Sequence, residues 1–247
     1  MMFEASEGKL NSSFVVTGGS GLIGSVITRR LIDLDHEVVV IDREPLPSSL
    51  ADRVAEFHQI DITDDAACEA AVDDILASRP QINGVIACAG ITRIAQFLDY
   101  SAEEWARVLD VNVTANVALI RRLVPTLVDS AAAGAGSDVV ILGSVGSEAF
   151  FRGASVYGAG SSAQRTFTSH LRTEFASRGL RATSIDFGYV KSEAVDWHEL
   201  YTADFDRLEE NMMTPEDLSD TVMFVLSQPA GVQLHDITLI STEQGWV

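Results

Sequence analysis

The chain has 247 residues, of which 47% are hydrophobic and 21% charged, with a formal net charge of −19. That length suits one large α/β domain better than two small ones, and the composition is that of a globular chain with a sizeable core. So acidic a surface repels phosphate backbones and anionic lipid, which argues against nucleic acid or a membrane as partner.

Residues 1–12 are polar and lack the apolar centre of a secretory signal. They read as a flexible N-terminus ahead of a single domain over 13–247. No run of about 18 apolar residues is present to span a bilayer, and a cytoplasmic location is expected. The first strand is expected at Phe14–Thr17, followed by Gly18-Gly19-Ser20-Gly21-Leu22-Ile23-Gly24 and a helix near 22–34. Glycines there let the backbone turn tightly and approach a pyrophosphate, while the helix N-terminus offers unpaired N–H groups to the anion. Gly18, Ser20, Gly21, Leu22, Ile23 and Gly24 are therefore candidate cofactor contacts. The second strand, Glu37–Ile41, leads into Asp42, 18 residues after Gly24. An acid at that spacing accepts hydrogen bonds from the adenosine ribose hydroxyls, which favours NAD over NADP. Arg43 beside it is suited to an extra phosphate, so NADP stays the less favoured alternative.

Further strands are expected at 55–60, 84–87, 138–142, 181–185 and 237–240, and helices near 64–78, 101–111, 113–130, 156–178 and 214–227. Continuous apolar strands alternating with amphipathic helices predict a doubly wound parallel sheet of about seven strands with helices on both faces. Ser101 with Glu104 reads as a capping box. Thr214-Pro215-Glu216-Asp217 combines an N-cap residue, a proline at the first helical position and first-turn acids. The segment 187–213 is the least regular and is placed to cover a ligand. Cys68 and Cys88 belong to no CxxC or Cys/His cluster, and the five histidines form no HxxxH pair, so no metal is expected. Cys88 reads as a small buried hydrophobe.

Taken in order over roughly residues 12–247, several stretches resemble one known family. They are TGGSGLIG, the Asp61-Ile62 pair, Ala87-Cys88-Ala89-Gly90, Asn112 in DVNVTANVAL, Ser144 in ILGSVGS, Tyr157 in VYGAGSSA and Phe187–Ser192. The family is the short-chain dehydrogenases/reductases. The glycine spacing TGxxGxxG is similar to its longer, two-domain branch, while the chain length and later motifs are similar to its compact branch. The resemblance implies a Rossmann-type domain in which Asp61 contacts adenine. It implies further dinucleotide contacts from Ile62, Cys88, Ala89, Gly90, Tyr157, Gly188, Val190 and Ser192. Asn112 would help to hold a proton-relay water. Ser144 would orient a carbonyl, and Tyr157, 13 residues later, would be the acid/base. A homodimer or homotetramer is also implied.

One departure bears on chemistry. The family's lysine four residues after the tyrosine is replaced by Ser161. That spacing places both side chains on one helix face. A serine can still bond a nicotinamide ribose, but it supplies no charge. Lys191 is a candidate substitute, although exposed loop lysines are the rule; Arg152 and Arg165 are also near in sequence. The expected function is an NAD-dependent oxidoreductase acting on a small alcohol or carbonyl. Two alternatives are a non-redox member of epimerase or lyase type and a catalytically silent dinucleotide sensor.

Overall fold

The computed structural model describes residues 12–192 and 211–244. Within them lie seven strands: β1 (Ser13–Thr17), β2 (Glu37–Asp42), β3 (Glu56–Gln59), β4 (Gly84–Ala87), β5 (Asp138–Ser144), β6 (Arg181–Phe187) and β7 (Asp236–Leu239). They form one sheet in the order β3-β2-β1-β4-β5-β6-β7, and every pairing is parallel. The described helices are α1 (Leu22–Asp33), α2 (Ser48–Ala51), α3 (Asp65–Ser78), α4 (Ala102–Leu109), α5 (Asn116–Ala132), α6 (Ser155–Phe175) and α7 (Pro215–Leu226). This is the predicted Rossmann-like α/β architecture.

Successive strand residues serve opposite faces, which is why the strands are apolar throughout. Val15, Val39, Val85 and Val139 pack with Val72 of α3, Leu119 and Leu123 of α5 and Leu171 of α6. Val16, Val40, Ile86 and Val140 pack on the other side with Ile27 and Leu31 of α1 and Val222 of α7. The predicted capping box forms at Ser101 with Glu104, and the predicted helix start at Thr214 carries a second one, with Asp217. Among the described residues, no helix is long and apolar enough to cross a membrane.

Three expectations are corrected. The helices expected at 101–111 and 113–130 are joined by a π turn over Asp110–Ala115. A widened turn leaves carbonyls short of N–H partners, and the Asn116 amide meets them, donating to Val111 O at 3.0 Å and Asn112 O at 3.3 Å. The short helix α2 was not expected, since four residues show no period. Strands β5 and β6 run two residues further than predicted, from the pair Asp138↔Arg181 to the pair Ser144↔Phe187. Pairing with a neighbour extends them where composition gives no signal. Residues 193–210 of the expected covering segment, and most of the expected N-terminal tail, lie outside the described residues.

Candidate active site

The sheet reverses direction of growth between β1 and β4. Connections from these two strands leave on opposite faces, so a crevice opens at their carboxyl ends. The cleft there has a volume of about 760 Å³, within the range of small-molecule sites, roughly 300–1,000 Å³. Every site residue singled out from the sequence lines it except Ser161 and the candidate cations Lys191, Arg152 and Arg165.

One end is built on the glycine turn. Gly18 has φ +69°, and a Cβ on it would sit 2.8 Å from the Ala89 backbone. A Cβ on Gly24 would lie 2.1 Å from Gly18 O. Gly21 precedes α1 and contributes no side-chain cap, so the Leu22 and Ile23 amides are left for a ligand. Thr17, wholly buried, accepts the Ala89 N–H at 3.1 Å and ties the turn to the strand end beside it. Asp42 braces the same turn: its carboxylate accepts Ser20 N–H at 2.8 Å and Glu44 N–H at 3.0 Å. This backbone cradle and its uncapped amides fit a dinucleotide pyrophosphate. Burial pushes the Cys88 thiol up to about 12, Asp42 adding to the shift and a hydrogen bond from Gly24 opposing it. A thiol so protonated is a poor nucleophile, in keeping with its reading as a hydrophobe.

Asp61 stands in a network that the sequence did not reveal. Its carboxylate accepts Thr63 N–H at 2.9 Å, Thr63 Oγ1–H at 2.7 Å and Arg107 Nη2–H at 2.7 Å. Burial pushes its pKa up, but these three hydrogen bonds and the Arg107 charge outweigh it and hold the carboxyl at about 2. Arg107 itself lines the cleft.

At the other end, Ser144 terminates β5. Its Oγ accepts Gly146 N–H at 3.1 Å. The turn that follows is pinned twice: Ser147 donates to Asp186 Oδ2 at 2.8 Å, and Ser162 of α6 donates to Ser147 O at 3.2 Å. Asp186 lies under this turn, because Gly143 opposite has no Cβ to displace its Oδ1, which would be 2.1 Å away. Burial pushes the Asp186 carboxyl up, opposed by hydrogen bonds from Ser147 and Ser184. Tyr157, half-buried in the first turn of α6, also lines the cleft. Asn112 is buried, and its side chain accepts Ile91 N–H at 2.8 Å and donates to Ile91 O at 3.0 Å. It thus anchors the loop after β4.

Ser161 is 2% exposed and turned away, donating to Tyr157 O at 3.0 Å. The residue of α6 that reaches the cleft instead is Gln164, seven places after Tyr157 and on the same helix face. Among the described residues, the cations lining the cleft are Arg43 and Arg107, both at the end marked by Asp42 and Asp61. Arg165 is engaged with Glu148, Asp186 and Asp236. Lys191 is exposed, with its backbone N–H donated to Met213 O.

Residues 13–199 match the family model for short chain dehydrogenases. The chain belongs to the short-chain dehydrogenase family. The chain is 24% identical over 242 residues to sulfoacetaldehyde reductase 2 of Chromohalobacter salexigens, covering 94% of this chain and 95% of the relative. It is 25% identical over 230 residues to an uncharacterized oxidoreductase of Staphylococcus aureus, covering 91% and 95%. The crystal structure of serine dehydrogenase from Escherichia coli superposes with a TM-score of 0.77 at 26% identity, covering 92% of this chain and 96% of that one. Three cleft residues, Arg107, Gln164 and Gln244, were not found from the sequence. The spacing of Gln164 from Tyr157 was a usable signal; Arg107 and Gln244 carried none.

Proposed function

We propose that this short-chain dehydrogenase interconverts a small alcohol and its carbonyl compound by hydride transfer with a nicotinamide dinucleotide, using NAD in preference to NADP. The observation that carries the reading is the placement of Ser144 and Tyr157 on the same cleft as the glycine turn.

The amides at the start of α1 would hold the pyrophosphate, Asp42 the adenosine ribose, Asp61 and Ile62 the adenine, and Gly188, Val190 and Ser192 the nicotinamide. When bound, the dinucleotide supplies or accepts the hydride. Ser144 accepts Gly146 N–H, so its own proton stays available for the substrate oxygen. Tyr157 gives its hydroxyl proton to that oxygen in reduction and takes one back in oxidation. Asn112, through Ile91, keeps the loop after β4 in place beside them. The described lining near Ser144 and Tyr157 has no cation, so a neutral small alcohol suits it better than an anion. A symmetric homodimer or homotetramer belongs to the same reading, to be checked by sedimentation.

A second reading, NADP as the cofactor, is favoured by Arg43 and by a relative. Serine dehydrogenase complexed with NADP+ is 26% identical to this chain, with a TM-score of 0.78. Fluorescence titration separates the two. NADH should bind at least ~10-fold more tightly than NADPH, a difference of about 1.4 kcal/mol. Asp42→Ser should narrow that ratio by removing the repelling charge. Wild-type protein that binds NADPH as tightly as NADH or more so speaks for NADP, and an unmoved ratio in the variant removes Asp42 from the discrimination.

The missing lysine gives a separate test. A cation one helical turn from a phenol stabilises its phenolate. Ser161→Lys is expected to raise kcat for alcohol oxidation about tenfold near neutral pH, the effect of roughly one pKa unit. No gain across a panel of alcohols and ketones would point to a site re-used for other chemistry.

A further inference from the structure

Gln244 comes from the far end of the chain and reaches the cleft. It is 1% exposed, and its N–H closes a turn onto Ser241 O at 3.0 Å. Its side-chain Oε1 accepts Tyr189 N–H at 3.0 Å. That bond fixes the amide's orientation, because only the oxygen can receive a backbone N–H. The other amide atom is then the donor Nε2, which is buried without a hydrogen-bond partner. Gly188 makes room for the whole group. A Cβ there would lie 2.0 Å from Oε1, 2.7 Å from Cδ and 2.8 Å from Nε2.

A buried donor left unpaired is costly, and a native structure retains one where something else completes it. Gln244 sits against the stretch Gly188–Ser192, which the proposed function assigns to the nicotinamide. We propose that Gln244 is a positioning residue for the nicotinamide half of the dinucleotide. Its Oε1 holds the Gly188–Tyr189 backbone in place, and its Nε2 donates to an oxygen on that half of the ligand. The inference rests on the cofactor reading given above.

Two probes test it: NADH, and ADP-ribose, which has the same adenosine and pyrophosphate but no nicotinamide. Affinities are measured by calorimetry for the wild type, Gln244→Leu, Gln244→Glu and Gly188→Ala. Gln244→Glu keeps an acceptor for Tyr189 N–H and lacks the donor. Gly188→Ala keeps the glutamine and evicts its amide, a shift at the end of a flexible side chain that the fold tolerates. All three variants are expected to bind NADH at least tenfold more weakly and ADP-ribose within twofold of the wild type. NADH affinity unchanged in Gln244→Glu, or an equal loss of both probes in that variant, overturns the inference while the cofactor reading stands. Wild-type protein that binds neither probe overturns the cofactor reading and this inference with it.

Discussion

Replacing Tyr157 by phenylalanine is expected to lower kcat by about 10²–10⁴-fold, the usual contribution of a positioned acid or base. The substitution removes one hydroxyl and keeps the ring, which is half-buried in the first turn of α6, so the helix and its packing persist. Tyr157 also faces the expected cofactor, but a lost neutral hydrogen bond is worth only about 0.5–1.5 kcal/mol, roughly tenfold or less in affinity. The two effects separate cleanly. Initial rates on a substrate panel should collapse while NADH titration moves little. Unchanged turnover would remove Tyr157 from the chemistry, and a collapse of binding equal to that of turnover would make it a ligand contact only. Ser144 offers no rescue on the proposed reading, in which it donates to the carbonyl oxygen and carries no proton across the reaction.

Replacing Arg181 by methionine is expected to cost about 3–5 kcal/mol of stability, the usual result of breaking one side of a buried ion pair. Arg181 and Asp138 are register partners at the amino ends of β6 and β5, away from the cleft. Their side chains are 8% and 2% exposed, and they meet in a two-pronged pair at 2.7 Å and 2.7 Å. The guanidinium also donates to Gln228 O at 2.8 Å, Pro229 O at 3.2 Å and Val232 O at 3.2 Å. It therefore fastens the sheet to the loop between α7 and β7. Methionine fills the volume and leaves the Asp138 carboxylate buried without its cation. A fall in Tm of roughly 6–20 °C follows for a chain of this size. Adding Asp138→Asn should recover part of the loss, since the remaining carboxamide is neutral. A single variant within about 1 kcal/mol of wild type, near the worth of a surface pair, would show that the cluster is screened after all.

Much of the fold was legible because it is written in short-range patterns. Strand and helix alternation, the glycine turn and the helix starts at Ser101 and Thr214 depend on residues within a few places of one another, and each was found near its expected position. The π turn at Asp110–Ala115 was not, because DVNVTA differs little from an ordinary helical stretch. What distinguishes it is the Asn116 amide supplying the carbonyls, together with a third bond to Ala89 O at 3.0 Å across from another element. Site residues followed the same division. Ser144 and Tyr157 were marked by local motifs and a fixed spacing. Ser161 was singled out for its place four residues after Tyr157, and its hydroxyl turns to the helix carbonyl four residues back. That choice is a local competition for a hydrogen bond, invisible in the residue type.

By itself the sequence determined the class of fold, the strands found among the described residues and the glycine turn after the first of them, since periodicity and glycine placement act over short distances along the chain. The tertiary structure alone decided which distant groups share a charge or a hydrogen bond. Arg107 reaches Asp61 across 46 positions and Gln244 reaches Tyr189 across 55. Such pairings follow from the order in which strands lie side by side, and no local pattern of residues encodes that order.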